Sequence, residues 1–113
     1  MDISEDRRGN GIILALSGRL DATTAKAFEE KVVGTINAGT YRLVIDLSHL
    51  DYISSAGLRV FVIAAKRLRG TDGKIVLCSM REHVREVFDL AGFSSLISIY
   101  GSRDEACRST IAE

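Results

Sequence analysis

Residues 43–59, LVIDLSHLDYISSAGLR, decide the architecture of this chain. The run from Tyr41 to Leu47 has almost no polar interruption, which is typical of a strand covered on both faces. After a polar loop, apolar residues recur at helical spacing and predict a helix from about Ser55 to Leu68. The start of such a helix presents unpaired backbone N–H groups and the positive end of its dipole, so this junction favours an anionic group.

The segments before this stretch predict a hairpin and a helix. A short apolar segment near Ile3 and a strand over residues 12–16 are separated by a polar turn, as in a β-hairpin. Residues 18–21, GRLD, are expected to break the second strand. Asp21 is then expected to cap a helix that extends to about Ile36.

The segments after it continue the alternation of strand and helix. They are a strand from Lys74 to Cys78, a helix from Arg81 to Leu90, a short strand from Leu96 to Ile99 and a C-terminal helix that Ser102 caps. In the middle helix Val84, Val87, Phe88 and Leu90 are expected to face inward. The order β-β-α-β-α-β-α-β-α predicts an α/β sandwich: a mixed, mostly parallel sheet with an antiparallel edge strand and helices packed against it.

Composition limits the classes of partner and site. Fifteen basic and fifteen acidic residues give a net charge of zero, so no overall field recruits nucleic acid or an anionic membrane. No stretch resembles a membrane span or a signal peptide, which predicts a cytoplasmic protein. The length predicts one domain over residues 1–113. Cys78 and Cys107 match neither a disulfide framework nor a zinc spacing.

The motifs of common enzymes are missing. Ile53 stands where the nucleophile elbow GxSxG needs glycine before Ser55, and His49 has no evident acid partner, so a serine hydrolase is not indicated. His49 and His83 form no HExxH motif. The chain also lacks GxGxxG and GxxxxGK[ST], the glycine-rich sequences that hold nucleotide phosphates. These absences predict no catalytic residues and no cofactor.

Two pairs of polar residues in the central stretch each allow two interpretations. Asp46 and Asp51 flank the loop and could hold a metal ion, but loop carboxylates more often accept backbone hydrogen bonds, so no metal is predicted. Ser54 and Ser55 could cap the helix or accept a phosphate. Spacing alone favours the cap.

The same residues resemble a known signature. Asp46 to Ser48 followed by Tyr52 to Arg59 resembles the signature of the STAS domain in bacterial anti-sigma-factor antagonists. GRLD at residues 18–21 resembles the G-x-L-D turn of that family, and residues 91–93, AGF, resemble its late L-x-G-[FL] segment. The similarity covers nearly the whole chain.

The resemblance implies a switch and not an enzyme. In that family, the serine two positions before the glycine, here Ser55, is phosphorylated by a partner serine kinase of the histidine-kinase-like ATPase fold that doubles as an anti-sigma factor. A PP2C-type phosphatase removes the phosphate, and only the unphosphorylated antagonist captures the anti-sigma factor and releases sigma. Some members have aspartate where this chain has Ser54, which makes Ser54 the alternative acceptor.

The resemblance also implies a contact surface. We expect the partner to bind the serine turn, the exposed start of its helix and the turn after Leu20. The residues are Asp21, Ser54, Ser55, Ala56, Gly57 and Arg59. Gly57 is expected to let a partner backbone approach, so Gly57→Glu should disturb binding more than folding.

Other functions within the family stay open. Some members are cytoplasmic accessory subunits of lipid transporters, and others are scaffold proteins in stress signalling. The motif does not select among these functions, and a weak homodimer is also left open.

Overall fold

The computed structural model describes all 113 residues. The five strands are β1 (Asp2–Arg8), β2 (Gly11–Leu20), β3 (Arg42–Ile53), β4 (Lys74–Cys78) and β5 (Ile99–Tyr100). The four α-helices are α1 (Ala25–Asn37), α2 (Ser55–Leu68), α3 (Glu82–Leu90) and α4 (Arg103–Thr110), and a 3-10 helix covers Phe93–Ser95. No helix is both long enough and apolar enough to cross a bilayer.

The strands form one sheet in the order β1-β2-β3-β4-β5. β1 pairs with β2 antiparallel, and every other neighbouring pair is parallel. The predicted element order and mixed α/β sandwich are confirmed. α2 and β4 begin and end at the predicted residues. Their apolar residues follow a strong pattern, which marks both ends of each element.

The two faces of the sheet carry different layers. On one face, a row of aromatic rings joins α1, α2, α3 and the 3-10 helix, with centroids 5.4 to 5.6 Å apart. Its members are Phe28, Phe61, Phe88 and Phe93. On the other face, α4 covers a smaller cluster that contains Val44, Val76 and Ala106. β3 is therefore buried on both sides, as its apolar sequence predicts.

Two strands are longer than predicted. The predicted break at GRLD is wrong, because β2 continues to Leu20, and the predicted polar loop after Leu47 is wrong, because β3 continues to Ile53. These extensions pair with each other, ending at Leu20 opposite Ile53. Irregularities in register at residues 15–17 and 18–19 disturb the alternation of side chains. The sequence of these extensions therefore lacks the regular alternation of apolar and polar residues that predicts a strand.

Several helix ends also differ from prediction. α1 begins at Ala25 after the N-cap residue Thr24, so Asp21 does not cap it. The predicted last strand is shorter, because the 3-10 helix takes up the chain before it. Leu90 was expected to face inward, yet it is 90% exposed because α3 ends there. Ser102 does cap α4, as predicted: its side chain accepts a hydrogen bond from the Glu105 backbone N–H.

Candidate functional site

The candidate site lies where α2 begins against the end of β2. The Ser54 backbone N–H donates to the Leu20 carbonyl at 2.9 Å, which ties the helix start to the neighbouring strand. The Leu58 N–H donates to the Ser54 carbonyl at 3.0 Å and closes the first helical turn. The backbone thus fixes the position of the two serines. This fixed helix start is the junction that the sequence predicts as an anion-favouring site.

Gly57 contributes to this junction by close packing. A Cβ atom at this position would lie 2.7 Å from Leu20 Cγ and 3.0 Å from Ile53 Cγ1, and Gly57 is buried. The close neighbour is therefore the end of β2, which reaches the helix backbone only where a side chain is absent. A side chain at this position must displace Leu20 or Ile53, so Gly57→Glu is expected to disturb the fold as well as the binding of a partner.

The two serines occupy opposite environments. The Ser54 hydroxyl oxygen is buried and has no hydrogen-bond partner. Ser54 is the N-cap residue by position, but its side chain makes no cap hydrogen bond, so the cap interpretation is wrong for this hydroxyl. Ser55, the first residue of α2, is exposed. Of the two hydroxyl groups, the one at Ser55 is open to a modifying enzyme.

The electrostatics of the helix start favour a negative group. The N–H groups of Ser55, Ala56 and Gly57 have no carbonyl in the preceding turn of the helix, and the helix dipole adds positive potential. The first turn contains no acidic residue. Arg59 is exposed one turn further on and makes no ion pair. These groups therefore attract an anion, and no acidic side chain of the first turn competes with it.

Asp21 lies at the same end of the sheet as the serine turn, as predicted. It directly follows Leu20, whose carbonyl holds the helix start. Its carboxylate accepts hydrogen bonds from the Thr23 hydroxyl at 2.7 Å and the Thr23 backbone N–H at 3.0 Å. These hydrogen bonds lower the pKa of Asp21 below its usual value. Asp21 is thus a negatively charged rim residue at neutral pH.

Two residues that the sequence analysis missed complete this rim. Arg19 and Tyr52 are partners in the pairing of β2 with β3. The Arg19 guanidinium lies 4.1 Å from the centre of the Tyr52 ring and 3.7 Å from the Asp21 carboxylate. The Arg19 side chain is 61% exposed and Tyr52 is 39% exposed, so a partner could touch both. Arg19 and Tyr52 meet because of the register in which β2 and β3 pair beyond residue 17. A local sequence pattern does not show that register.

The two carboxylates that suggested a metal alternative have separate partners. Asp46 accepts the Ser48 backbone N–H at 2.9 Å and the Arg103 guanidinium at 2.8 Å. Burial alone would raise the pKa of Asp46, but these bonds outweigh it and hold the pKa below its usual value. Asp51 pairs with Arg81 at the start of α3. Each carboxylate is therefore neutralised by its own arginine, which leaves no shared cation position.

The start of α3 adds a second layer of contacts to the extended part of β3. Arg81 Nε donates to the Ser48 carbonyl at 3.1 Å, and His83 Nε2 lies 2.6 Å from the Asp51 carbonyl. These bonds satisfy carbonyl groups of a strand segment that runs beyond β4. They hold the segment that leads into Ser54.

Comparison with known proteins assigns the family. The model of the STAS domain matches residues 3–106. This chain belongs to the STAS domain family. The resemblance seen in the sequence is confirmed, and it extends over both the serine turn and the GRLD segment.

Two relatives of this STAS protein are named as antagonists of anti-sigma factors. It is 41% identical over 106 residues to BtrV of Bordetella bronchiseptica, named an anti-sigma factor antagonist, across 94% of this chain and 91% of BtrV. It is 31% identical over 101 residues to the anti-sigma-B factor antagonist of Bacillus subtilis, across 88% of this chain and 92% of the relative.

Solved structures share the fold. An anti-sigma factor antagonist from Thermotoga maritima superposes with a TM-score of 0.90 at 25% identity, over 96% of this chain and 93% of that one. SpoIIAA in its phosphorylated form has a TM-score of 0.75 at 17% identity, over 96% of this chain and 98% of that one. At that identity the second likeness concerns the fold alone.

Proposed function

We propose that this STAS protein is an anti-sigma factor antagonist that phosphorylation of Ser55 switches off. The observation that carries the proposal is the exposed Ser55 hydroxyl at the bare start of α2, in a chain whose relatives are named as such antagonists. The unphosphorylated form binds an anti-sigma factor and so releases a sigma factor. The protein acts by binding and carries out no chemistry of its own.

Accessibility supports Ser55 over Ser54 as the acceptor. A kinase needs the hydroxyl oxygen in line with the phosphate of ATP, and the Ser54 oxygen is buried. At Ser55 the phosphoryl group of ATP passes to the exposed oxygen, ADP leaves, and the hydroxyl proton is released. Hydrolysis of the phosphoserine by a phosphatase restores the hydroxyl and yields inorganic phosphate.

The phosphate changes the surface while leaving the fold intact. It adds about −1.5 to −2 charges beside the free N–H groups and dipole of α2, which attract a negative charge. A partner pressed against Ser55 must desolvate that charge. A loss of about 3 kcal/mol at the interface lowers affinity roughly a hundredfold, and no large conformational change is required.

The proposed partners follow from the family. The anti-sigma factor is a serine kinase of the histidine-kinase-like ATPase fold, and a PP2C-type phosphatase reverses its action. The contact surface centres on Ser55, Ala56 and Arg59, with the charged rim of Asp21 and Arg19 beside it. Gly57 supports this surface from beneath. Ser54 contributes its backbone, which holds the turn in place.

The test is phosphopeptide mapping of the protein isolated from its own cells, with Ser55→Ala and Ser54→Ala as a matched pair. We expect one phosphate on Ser55, lost in Ser55→Ala and kept in Ser54→Ala. Affinity for the purified anti-sigma factor should fall about a hundredfold in Ser55→Asp and stay unchanged in the neutral Ser55→Asn.

Contrary results point to different functions. Phosphate on Ser54 alone would refute the accessibility argument. If no phosphate appears under several growth and stress conditions, the switch is refuted. Stable co-purification with the subunits of a lipid transporter, unchanged in Ser55→Asp, would then identify the alternative accessory subunit.

A further inference from the structure

An apolar groove lies at the other end of α2 from Ser55. It consists of two adjoining cavities of about 260 Å³ and about 290 Å³ beside the second half of α2. Ala65, Leu96 and Ile97 line both cavities. Leu96 is 70% exposed, so this α2 groove presents apolar surface to solvent.

Each cavity of the α2 groove is large enough for one apolar side chain, since a benzene ring fits a protein cavity of about 150 Å³. The two cavities share three apolar lining residues, so side chains bound in them lie next to each other. On an amphipathic helix, apolar residues three or four positions apart lie next to each other in the same way. The pair of cavities therefore fits two anchor residues of one helix, a recurring mode of peptide recognition.

The border of the α2 groove is positively charged. Lys66 lines one cavity, Lys74 lines the other and Arg69 lines both, whereas no acidic residue lines either. None of these cations makes an ion pair. The negative end of the α2 dipole attracts cations near the end of the helix, but it does not explain Lys74, which belongs to β4. The charge of the border is therefore open to a partner.

Charge and shape together define the occupant. Cations beside both cavities call for several carboxylates along the occupant, and the cavities call for two apolar anchors. A fatty acid carries a single carboxylate, which fits this border less well. We propose that the α2 groove binds an acidic amphipathic helix of a partner protein, with its apolar anchors in the two cavities and its carboxylates facing Lys66, Arg69 and Lys74.

This docking surface is separate from the serine turn. Lys66 lies eleven residues after Ser55 on α2, about 16 Å along the helix axis. None of the residues proposed to contact the anti-sigma factor lines the α2 groove. The acidic helix therefore binds a second surface, which goes beyond the proposed function and does not depend on a phosphate at Ser55.

The test uses a synthetic peptide of about fifteen residues that is stapled into a helix, since short helices are marginal in water. The peptide carries two leucines one helical turn apart, flanked by glutamates. Fluorescence anisotropy measures its affinity for the full chain, and the shifts of backbone amide signals in NMR spectra locate it. We expect a dissociation constant of about 100 μM or below, weaker binding in high salt, and the largest shifts at residues of the α2 groove.

Variants of the chain and of the peptide test the contacts. Leu96→Ser removes an apolar side chain that both cavities share, and Arg69→Glu reverses a border charge, so each should lower the affinity about tenfold. A peptide with lysines in place of the glutamates should bind Arg69→Glu more tightly than it binds the wild type. Lys26→Glu, a charge reversal at an exposed position of α1 outside both cavities, is the matched control and should bind the acidic peptide as the wild type does.

Several results would overturn the proposal. No binding of the acidic peptide at millimolar concentration refutes it, and binding of dodecanoate in that case assigns the groove to a fatty acid. Equal affinity for the acidic peptide and the lysine peptide contradicts the role of the cations. Amide shifts centred on the serine turn place the peptide on the other surface. Leu96 and Arg69 are exposed, so thermal melts of their variants should match the wild type and exclude unfolding as the cause of weaker binding.

Discussion

Two helices of this chain begin after a serine, and their first turns are built in opposite ways. At α4 the Ser102 hydroxyl accepts a hydrogen bond from the Glu105 N–H, and Asp104 and Glu105 complement the helix dipole. At α2 the Ser54 hydroxyl makes no hydrogen bond, and the first turn has no acid. Side chains of the protein itself therefore bind and neutralise the first turn of α4. The first turn of α2 has no such side chains and can still bind an anion.

The comparison separates two ways of fixing a helix start. α4 is fixed by side chains, including the Arg103 guanidinium on the buried Asp46. α2 is fixed by the backbone bond from Ser54 to Leu20 and by the contact that Gly57 allows. A helix end held by backbone and packing can leave its polar groups free for a partner.

The largest effect is expected from Gly57→Ala. The new Cβ would lie 2.7 Å from Leu20 Cγ, so one of them must move, and we expect the free energy of unfolding to fall by about 2 kcal/mol. Gly34→Ala in α1 is the matched control, since a Cβ there meets nothing within 4 Å. It should gain about 0.5 to 1 kcal/mol. Urea unfolding measures both, and equal effects would contradict the packing role of Gly57.

A smaller loss is expected from Arg103→Met at the start of α4. Removing the guanidinium leaves Asp46 with only the Ser48 N–H, and we expect the free energy of unfolding to fall by about 1 to 2 kcal/mol at pH 7. Arg108→Met on the same helix, where Arg108 makes no ion pair, should have almost no effect. Urea unfolding at neutral pH measures the two losses.

The loss from Arg103→Met should depend on pH in one direction. Burial would raise the pKa of Asp46, but the bonds from Ser48 and Arg103 lower it below its unfolded value. Its stabilisation is complete above the unfolded pKa of about 4 and disappears as the pH falls through the folded pKa. The difference between wild type and variant should therefore shrink in acid. A difference that persists at low pH would show that Arg103 acts by packing alone.

The sequence predicts those parts of the molecule that depend on local patterns. α2 and β4 were found at their predicted bounds, and Ser102 caps α4, because a strong apolar period or a cap followed by acids is a local signal. The family was also identifiable, since the main part of its signature lies in one continuous stretch, residues 46–59.

Features that depend on distant contacts could not be predicted. The position of the Ser54 backbone and the role of Gly57 both depend on Leu20, which a different strand brings to the helix. The extension of β3 was missed because register irregularities break its alternation. The exposure of Leu90 reflects where α3 stops relative to the core, which its periodicity does not reveal.

The two serines that precede α4 and α2 should respond differently when their hydroxyl groups are removed. Ser102→Ala removes the hydrogen bond to the Glu105 N–H and should lower the free energy of unfolding by about 1 kcal/mol. Ser54→Ala removes a buried hydroxyl without a partner, so the free energy of unfolding should stay the same or rise by up to about 1 kcal/mol. Urea unfolding of the two variants decides the point. An equal loss in both would mean that Ser54 also caps its helix.

The smallest effect concerns the charge that the start of α2 can accept. Ser55→Asp places a carboxylate beside free N–H groups and should raise the free energy of unfolding by about 0.5 kcal/mol. The gain should shrink in high salt, since the residue is exposed, and the neutral Ser55→Asn should lack it. A loss of stability in Ser55→Asp would mean that the helix start does not favour an anion. If stability rises while affinity for the anti-sigma factor falls, the loss of binding arises at the interface and not from damage to the fold.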